Sequence, residues 1–461
     1  MKNSITNNNI GELNPNLFKD LLVKYSKELD IEKWDIGATS SRDISVQIQQ
    51  GNAKQLKGSQ RNSMTLRVWN KKKVGITSTS DLTSQGIKKA MRVAIEASYF
   101  GNEKESPDFS TLAKSPINEL NSISVKDHGI DELLVILKKA EKQLINAHIS
   151  IDSVPYNGLS ESYMERLYIN SDGANRFMKL SQSSIYLYGK AQQKNKKPRS
   201  AGAIRINSNL EKLDIDSCIK ETSNKIISHL NYEAIETNKY LICFTPEAFL
   251  QLINAFSSMF NARSIIDGLS LMNEDSIGKQ IAVKNLNISD EGLHPENVGA
   301  FSFDGEGTPT QNINLIKSGV LSNLLHSEAT ARKFGVKPTG HAGLGAKVSV
   351  SPDWLVVSKC ENVIDQDETL SVISTKKEYI LIDELSAIHS GVKASQGSFS
   401  LPFDGWIVND GKKTSIEAAT VAGDILKLLN SIVKIESEQI VTHQGISPYV
   451  WVKDMSITGE A

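Results

Sequence analysis

The hydrophobic pattern of this sequence predicts an α+β protein: an N-terminal antiparallel sheet with helices, a middle α+β segment and a β-rich C-terminal domain. Three observations carry that expectation. Near the N-terminus apolar residues alternate with polar ones, as in strands with one buried face. Blocks with helical spacing separate these runs, and beyond residue 236 glycine-rich turns and short apolar runs dominate. A chain of 461 residues can form about two to four domains, each with its own core. The boundaries read as 1–105 for a meander plus helix, 118–235 for the middle segment and 236–461 for the C-terminal domain.

Taken in order, Ile44, Val46 and Ile48, then Leu66 and Val68, then Val74 and Ile76 form an antiparallel meander. Ile87, Ala90, Met91, Ala94 and Ile95 follow at helical spacing, so a helix of about four turns covers one face of the sheet. Residues 101–117 mix Gly, Pro, Ser and charge without periodicity and read as a linker. The middle segment opens with a helix from Ile130 to Ala147, striped by Leu133, Leu134, Leu137, Ala140 and Leu144. Strands at 163–170 and 176–191 flank Asn170-Ser171-Asp172-Gly173, whose side chains favour a hairpin turn. A helix near 214–231 closes this segment, and the basic run Lys194 to Arg199 reads as a solvated loop in preference to a phosphate-binding patch. The C-terminal domain starts with a strand at 240–244. Thr245 then serves as N-cap and Pro246 as first residue of a helix bearing Phe249, Ile253, Phe256 and Phe260. Strands at 378–382 and 399–408 follow, and a last helix carries Val421, Ile425, Leu428, Leu429 and Ile432.

Composition excludes several function classes. With 52 Lys+Arg against 53 Asp+Glu, the chain has no global field to gather nucleic acid or an anionic membrane. No run of 18 apolar residues occurs and the N-terminus is polar, so the expectation is a cytoplasmic protein, neither secreted nor membrane-spanning. Cys218, Cys243 and Cys360 are odd in number and far apart, which fits reduced thiols.

The standard catalytic signatures fail. No G-x-S-x-G elbow and no G-x-G-x-x-G after a strand is present. Gly335 and Gly340 have the spacing of a phosphate loop, but His341 and Ala342 stand where Lys and Ser/Thr are needed, so the segment reads as a turn. None of the eight histidines pairs with another at ligand spacing. Glu291 and His294 lie in a loop before Pro295, and His326 and Glu328 point apart, so each histidine reads as an ordinary surface or core residue. In the loop Phe303-Asp304-Gly305-Glu306-Gly307 two carboxylates could share a divalent cation, although a turn bounded by solvated acids is the stronger reading.

Several segments together resemble one family. Asp304 to Thr310, Leu315 to Leu321, Ala331 to Gly340, His389-Ser390-Gly391-Val392, Gly397 to Leu401 and Val421 to Leu426 are similar to the C-terminal domain of the TldD/PmbA proteins. The meander from Ile44 to Thr79 is similar to the family's N-terminal domain, so the resemblance spans nearly the whole chain. It implies a cytosolic two-subunit peptidase in which a TldD-type chain holds zinc with an H-E-x-x-x-H helix and a later cysteine, while a TldE/PmbA-type chain lacks them. Here the helix after strand 240–244 places Pro246 and Gln251 at the histidine positions, retains Glu247, and has no cysteine beyond Cys360. The chain is thus identified as TldE/PmbA-type.

Three expectations follow. This chain carries no catalytic residue and no cofactor of its own, zinc being held by a TldD-type partner; the two close a chamber for peptides or unfolded proteins. Asp304, Glu306, Arg332 and His389 are the candidate groove or interface residues. The competing reading is a self-associating scaffold, a homodimer being one form of it, with no peptidase partner. A metal-independent hydrolase using Ser390 or Ser400 with His389 is the weakest reading, because adjacent residues rarely orient as nucleophile and base.

Overall fold

The computed structural model describes residues 13–101, 108–118, 120, 128–343, 345, 348–360 and 378–459. It is an α+β structure. Its first sheet has six antiparallel strands: β1 (Lys33–Gln49), β2 (Asn52–Asn70), β3 (Lys73–Thr79), β4 (Ile151–Asn170), β5 (Asn175–Ala191) and β6 (Arg199–Asn207). Their order is β3-β2-β1-β4-β5-β6. β1 pairs with β4 from Asp35 opposite Asn170 to Val46 opposite Leu159, so the first and middle segments share one continuous sheet. The β4–β5 turn forms as its residues predict: Asn170 Oδ1 accepts the N–H groups of Asp172 and Ala174 at 3.1 and 2.9 Å.

The two-residue period of a strand decides what each face meets. Ile36, Leu66 and Val68 lie on the face covered by α1 (Pro15–Glu28) and α2 (Ser84–Ser98). Further along the same sheet, Val46, Ile48, Ile185 and Leu187 pack under α3 (Gly129–Asn146) and α4 (Ile215–Ser228). α1 went unread, although Asn14 before Pro15 is a capping signal: Asn14 Oδ1 accepts the Leu17 N–H at 3.1 Å. The intervening residues Asp35, Thr65 and Arg67 point to the opposite face, which is buried against the C-terminal domain.

That domain contains β7 (Tyr232–Glu233), β8 (Asn238–Phe244), α5 (Pro246–Ala255), α6 (Ala262–Ile266), β9 (Leu286–Glu291), β10 (Asn312–Lys317), β11 (Val320–Leu321) and α7 (Glu328–Phe334). It continues through β12 (Ala342–Gly343), β13 (Ser349–Val350), β14 (Leu355–Lys359), β15 (Glu378–Leu385), β16 (Val392–Lys393), β17 (Ser398–Asn409), β18 (Lys412–Ile416) and β19 (Ala419–Asp424). The last strands are β20 (Ile432–Ile435), β21 (Ile440–Thr442), β22 (Gly445–Ser447) and β23 (Val450–Gly459). One sheet runs β15-β8-β23-β19-β17, and pairing of β15 with β17 closes those five strands into a barrel. A second sheet runs β11-β10-β9-β14-β22-β21. Between them lies an apolar core in which Phe244, Phe249, Phe256 and Phe260 are inaccessible to solvent.

Two helix expectations are corrected. α5 ends at Ala255, Phe256 caps it, and Phe260 belongs to the tight 3-10 turn Ser257–Phe260 that follows. The run Val421 to Ile432 is not one helix: Val421 lies in β19, Ile432 in β20, and only Ile425–Asn430 is helical. Asp424 starts that short helix by accepting the Lys427 N–H at 3.0 Å, so a strand end and a helical turn together mimic helical spacing.

The junction between the first sheet and the C-terminal domain corrects two further expectations. Residues 102–107 of the linker lie outside the described residues, but 108–117 are packed: Ser110 and Ala113 are buried, and the Thr111 N–H donates to Glu328 Oε2 at 3.0 Å. Asp304 and Glu306 are not solvated acids. They are 4% and 0% exposed and face inward toward the sheet. Gly307 makes this approach possible; its φ is +75°, and a Cβ there would stand 2.4 Å from the Tyr168 ring.

Candidate functional cleft

A cleft of about 1000 Å³ lies between β5–β6 of the first sheet and the C-terminal domain. Tyr186, Tyr188 and Arg205 line one side. The other is formed by the first turn of α5, the end of β15, the loops 296–299 and 352–354, and β21 with the turn 443–444 after it. Local chemistry fixes that second wall. β8 runs parallel to β15 with Phe244 beside Ile382, after which the Thr245 N–H donates to Ile382 O at 2.9 Å and Thr245 Oγ1 donates to Asp383 O at 3.1 Å. The same oxygen accepts the Ala248 N–H at 3.2 Å and starts α5. Pro246 and Glu247 are thereby held beside Asp383 and Glu384.

Charge in the cleft is organised around Lys225 of α4. Its Nζ lies 3.1 Å from Asp383, 3.2 Å from Glu221 and 4.0 Å from Glu247. Burial opposes its charge, but these carboxylates together hold Lys225 above its ordinary range. Arg205 pairs with Glu221 at 2.5 Å. Burial pushes Glu247 upward against the pull of Lys225 and of His443, whose Nδ1 is 3.3 Å away. Glu384 is pushed up to about 7 by burial, with Asp404 and Glu247 adding repulsion. Such raised carboxylates in a concave site are a recurrent mark of function.

Pro246, Glu247 and Gln251 all line the cleft. Asp304 and Glu306 do not; they belong to the buried junction. Asp304 Oδ1 accepts the N–H groups of Glu306 and Thr308, and Oδ2 accepts that of Ala342. Burial and the neighbouring Glu306 nevertheless push Asp304 up to about 7. Arg332 is on the outer surface, paired with Glu328 at 2.6 Å and Asp108 at 3.3 Å. His389 is exposed in the helical turn Ile388–Gly391. His389→Ala is therefore expected to leave the melting temperature within about 2 °C, and light scattering with a partner shows whether it weakens association. A drop of many degrees would give the imidazole a structural role.

Sequence reading missed Lys225, Glu221, Asp383, Glu384 and His443, which come from three separated stretches and carry no local motif. It also set aside His341, which the fold brings beside Asp290 and Asp353. No zinc site fits the start of α5. Pro246 has no donor side chain, and Gln251 Oε1 is engaged, accepting the Leu385 N–H at 2.9 Å. Glu247 and His443 alone are two donors, fewer than the three or four protein ligands zinc takes.

Family models match almost throughout: the PmbA/TldA metallopeptidase domain 1 over 34–98, its central domain over 123–230 and its C-terminal domain over 237–459. Metalloprotease PmbA of Escherichia coli O157:H7 is 22% identical over 437 residues, covering 92% of each chain. A metalloprotease of Methanothermobacter thermautotrophicus is 25% identical over 325 residues, 68% of each chain. Among solved structures, TldE of Thermococcus kodakarensis aligns at TM-score 0.82 and 18% identity, covering 96% of this chain and 100% of that one. A Thermotoga maritima protein described as a proposed modulator of a DNA gyrase aligns at 0.84 and 23% identity, again over 96% and 100%. With three domain models matched in order and PmbA and TldE proteins among its relatives and structural neighbours, the chain belongs to the TldD/PmbA metallopeptidase family and is of its TldE/PmbA type.

Proposed function

We propose that this chain is the non-zinc subunit of a cytosolic metallopeptidase acting on peptides or unfolded proteins, and that it completes the substrate chamber of a zinc-bearing TldD-type partner. The observation that supports this reading is a built cleft around a helix start whose ligand positions cannot hold the metal. The bond-breaking groups then come from the partner, and this chain binds and orients the substrate. β6 suits that task. Among the described residues it pairs only with β5, along one edge, and it borders the cleft from Gly202 to Asn207, so its other edge can take an extended peptide by main-chain pairing.

The test is reconstitution. Alone, the chain is expected to cleave no unfolded casein; mixed with a zinc-bearing homologue from the same source, it is expected to form a complex visible by light scattering and to raise cleavage at least tenfold. A chain that neither associates nor changes the homologue's activity overturns the proposal. Self-association without any response to the homologue would establish the scaffold reading instead.

A further inference from the structure

The cleft wall at Pro352, Asp353 and Trp354 backs onto a group of side chains separate from α5. Asp290, on β9, is wholly buried. Its Oδ2 accepts the Asp353 N–H at 2.8 Å and its Oδ1 the Trp354 N–H at 3.2 Å, which fixes the turn carrying Asp353. His341 is 3% exposed, and its Nε2 lies 3.5 Å from Asp290 Oδ1 with no hydrogen-bond partner. One donor atom from each of Asp290, His341 and Asp353 falls within 4.8 Å of the other two.

The other ring nitrogen explains why Nε2 is free. Thr339 Oγ1 accepts the His326 N–H at 2.8 Å and donates its single proton to His326 O at 3.2 Å. With that proton on His326 O, the hydroxyl accepts from His341 Nδ1, 2.9 Å away. Nδ1 carries the proton, and the Nε2 lone pair is aimed at the two carboxylates. A hydrogen bond that fixes the tautomer from behind is the usual second support of a metal-bound histidine. Arg166, stacked on Phe301, offsets one of the carboxylates Asp290, Asp304 and Asp353 that surround His341, leaving the group net negative.

We propose that Asp290, His341 and Asp353 hold a divalent transition-metal ion at the cleft wall, with its remaining coordination positions open to an oxygen of whatever occupies the cleft. One imidazole and two carboxylates suit the manganese-to-zinc series, whereas calcium and magnesium take oxygen ligands. Tetrahedral bonds of about 2.1 Å place donors about 3.4 Å apart, so atoms now within 4.8 Å of one another draw together by up to about 1.4 Å on binding. The site is independent of the α5 positions and of the subunit role proposed above.

The experiment uses the full chain, stripped with chelator and dialysed, then titrated with Mn²⁺ followed by electron paramagnetic resonance and with Zn²⁺ followed by calorimetry. One saturable ion per chain is expected, with a rise in melting temperature. Asp353→Asn retains the backbone N–H that binds Asp290, so it is expected to fold normally and weaken binding at least tenfold; His341→Ala should do the same, and Glu247→Gln should bind as wild type. Absence of saturable binding by both ions overturns the proposal and leaves an ion-paired structural histidine. So does binding that survives Asp353→Asn and His341→Ala, or that is lost in Glu247→Gln.

Discussion

Arg67→Ala is expected to lower stability by about 3–5 kcal/mol, the range for breaking a buried ion pair from one side. Arg67 has no solvent exposure and joins the first sheet to the C-terminal domain: its guanidinium lies 2.5 Å from Asp35 and 3.3 Å from Glu306. Tyr168 donates to Asp35 Oδ2 at 3.0 Å, and the Glu328 N–H donates to Glu306 Oε2 at 2.8 Å. Deleting the cation leaves two carboxylates in a site that water does not reach. Glu306 is already held above its ordinary range by burial, against the pull of Arg67. Without Arg67 it moves higher, and stability associated with its proton, present at low pH, is lost as pH rises through the folded value. The deficit relative to wild type should therefore narrow on going from pH 8 to pH 5.5 in urea titrations. Lys114→Ala, which removes an exposed pair with Asp172 at 2.8 Å, should change little. A fall for Arg67→Ala no larger than that control would mean that the junction does not depend on the ion pair.

Lys225→Met is expected to cost about 2–4 kcal/mol at pH 8 and to alter the pH dependence of the cleft. Asp383 loses its 3.1 Å partner, whereas Glu221 keeps Arg205. Glu247 and Glu384 both stand above the ordinary carboxylate range, Glu384 at about 7. For such groups the linked stability is full below about pH 4.5 and falls as pH rises toward the folded value. Removing Lys225 raises both values, so the fall steepens and the deficit grows from pH 5 to pH 8. Equal deficits at both pH values would show that Lys225 acts through its alkyl packing alone.

Periodic elements were the legible part of this molecule. The meander, α2, α3 and the β4–β5 hairpin follow from two-residue and helical spacing, and the start of α5 from Thr245 and Pro246. The error at Val421 to Ile432 arose because a strand end followed by one helical turn reproduces a helix's apolar spacing. Burial of Asp304 and Glu306 could not be read, since a Gly-flanked acidic loop looks the same in water as against a sheet; the difference lies in Arg67, more than two hundred residues away in sequence. The cleft shows the same division. Its α5 positions were found through family resemblance, while Lys225, Glu384 and His341 acquire their partners only when distant segments meet.

The position of β23 bears on how the chain is made. Residues 450–459 sit between β8 and β19, in the middle of the barrel, yet they leave the ribosome after every strand they hold together. Until then β8 and β19 each present an unpaired edge flanked by apolar side chains, the condition under which nascent chains pair wrongly. The first sheet has no such wait, because β1 to β6 are complete by residue 207. Synthesis should therefore yield a folded N-terminal half tethered to an unfinished barrel, and chaperone demand should be concentrated in the interval before residue 450 emerges.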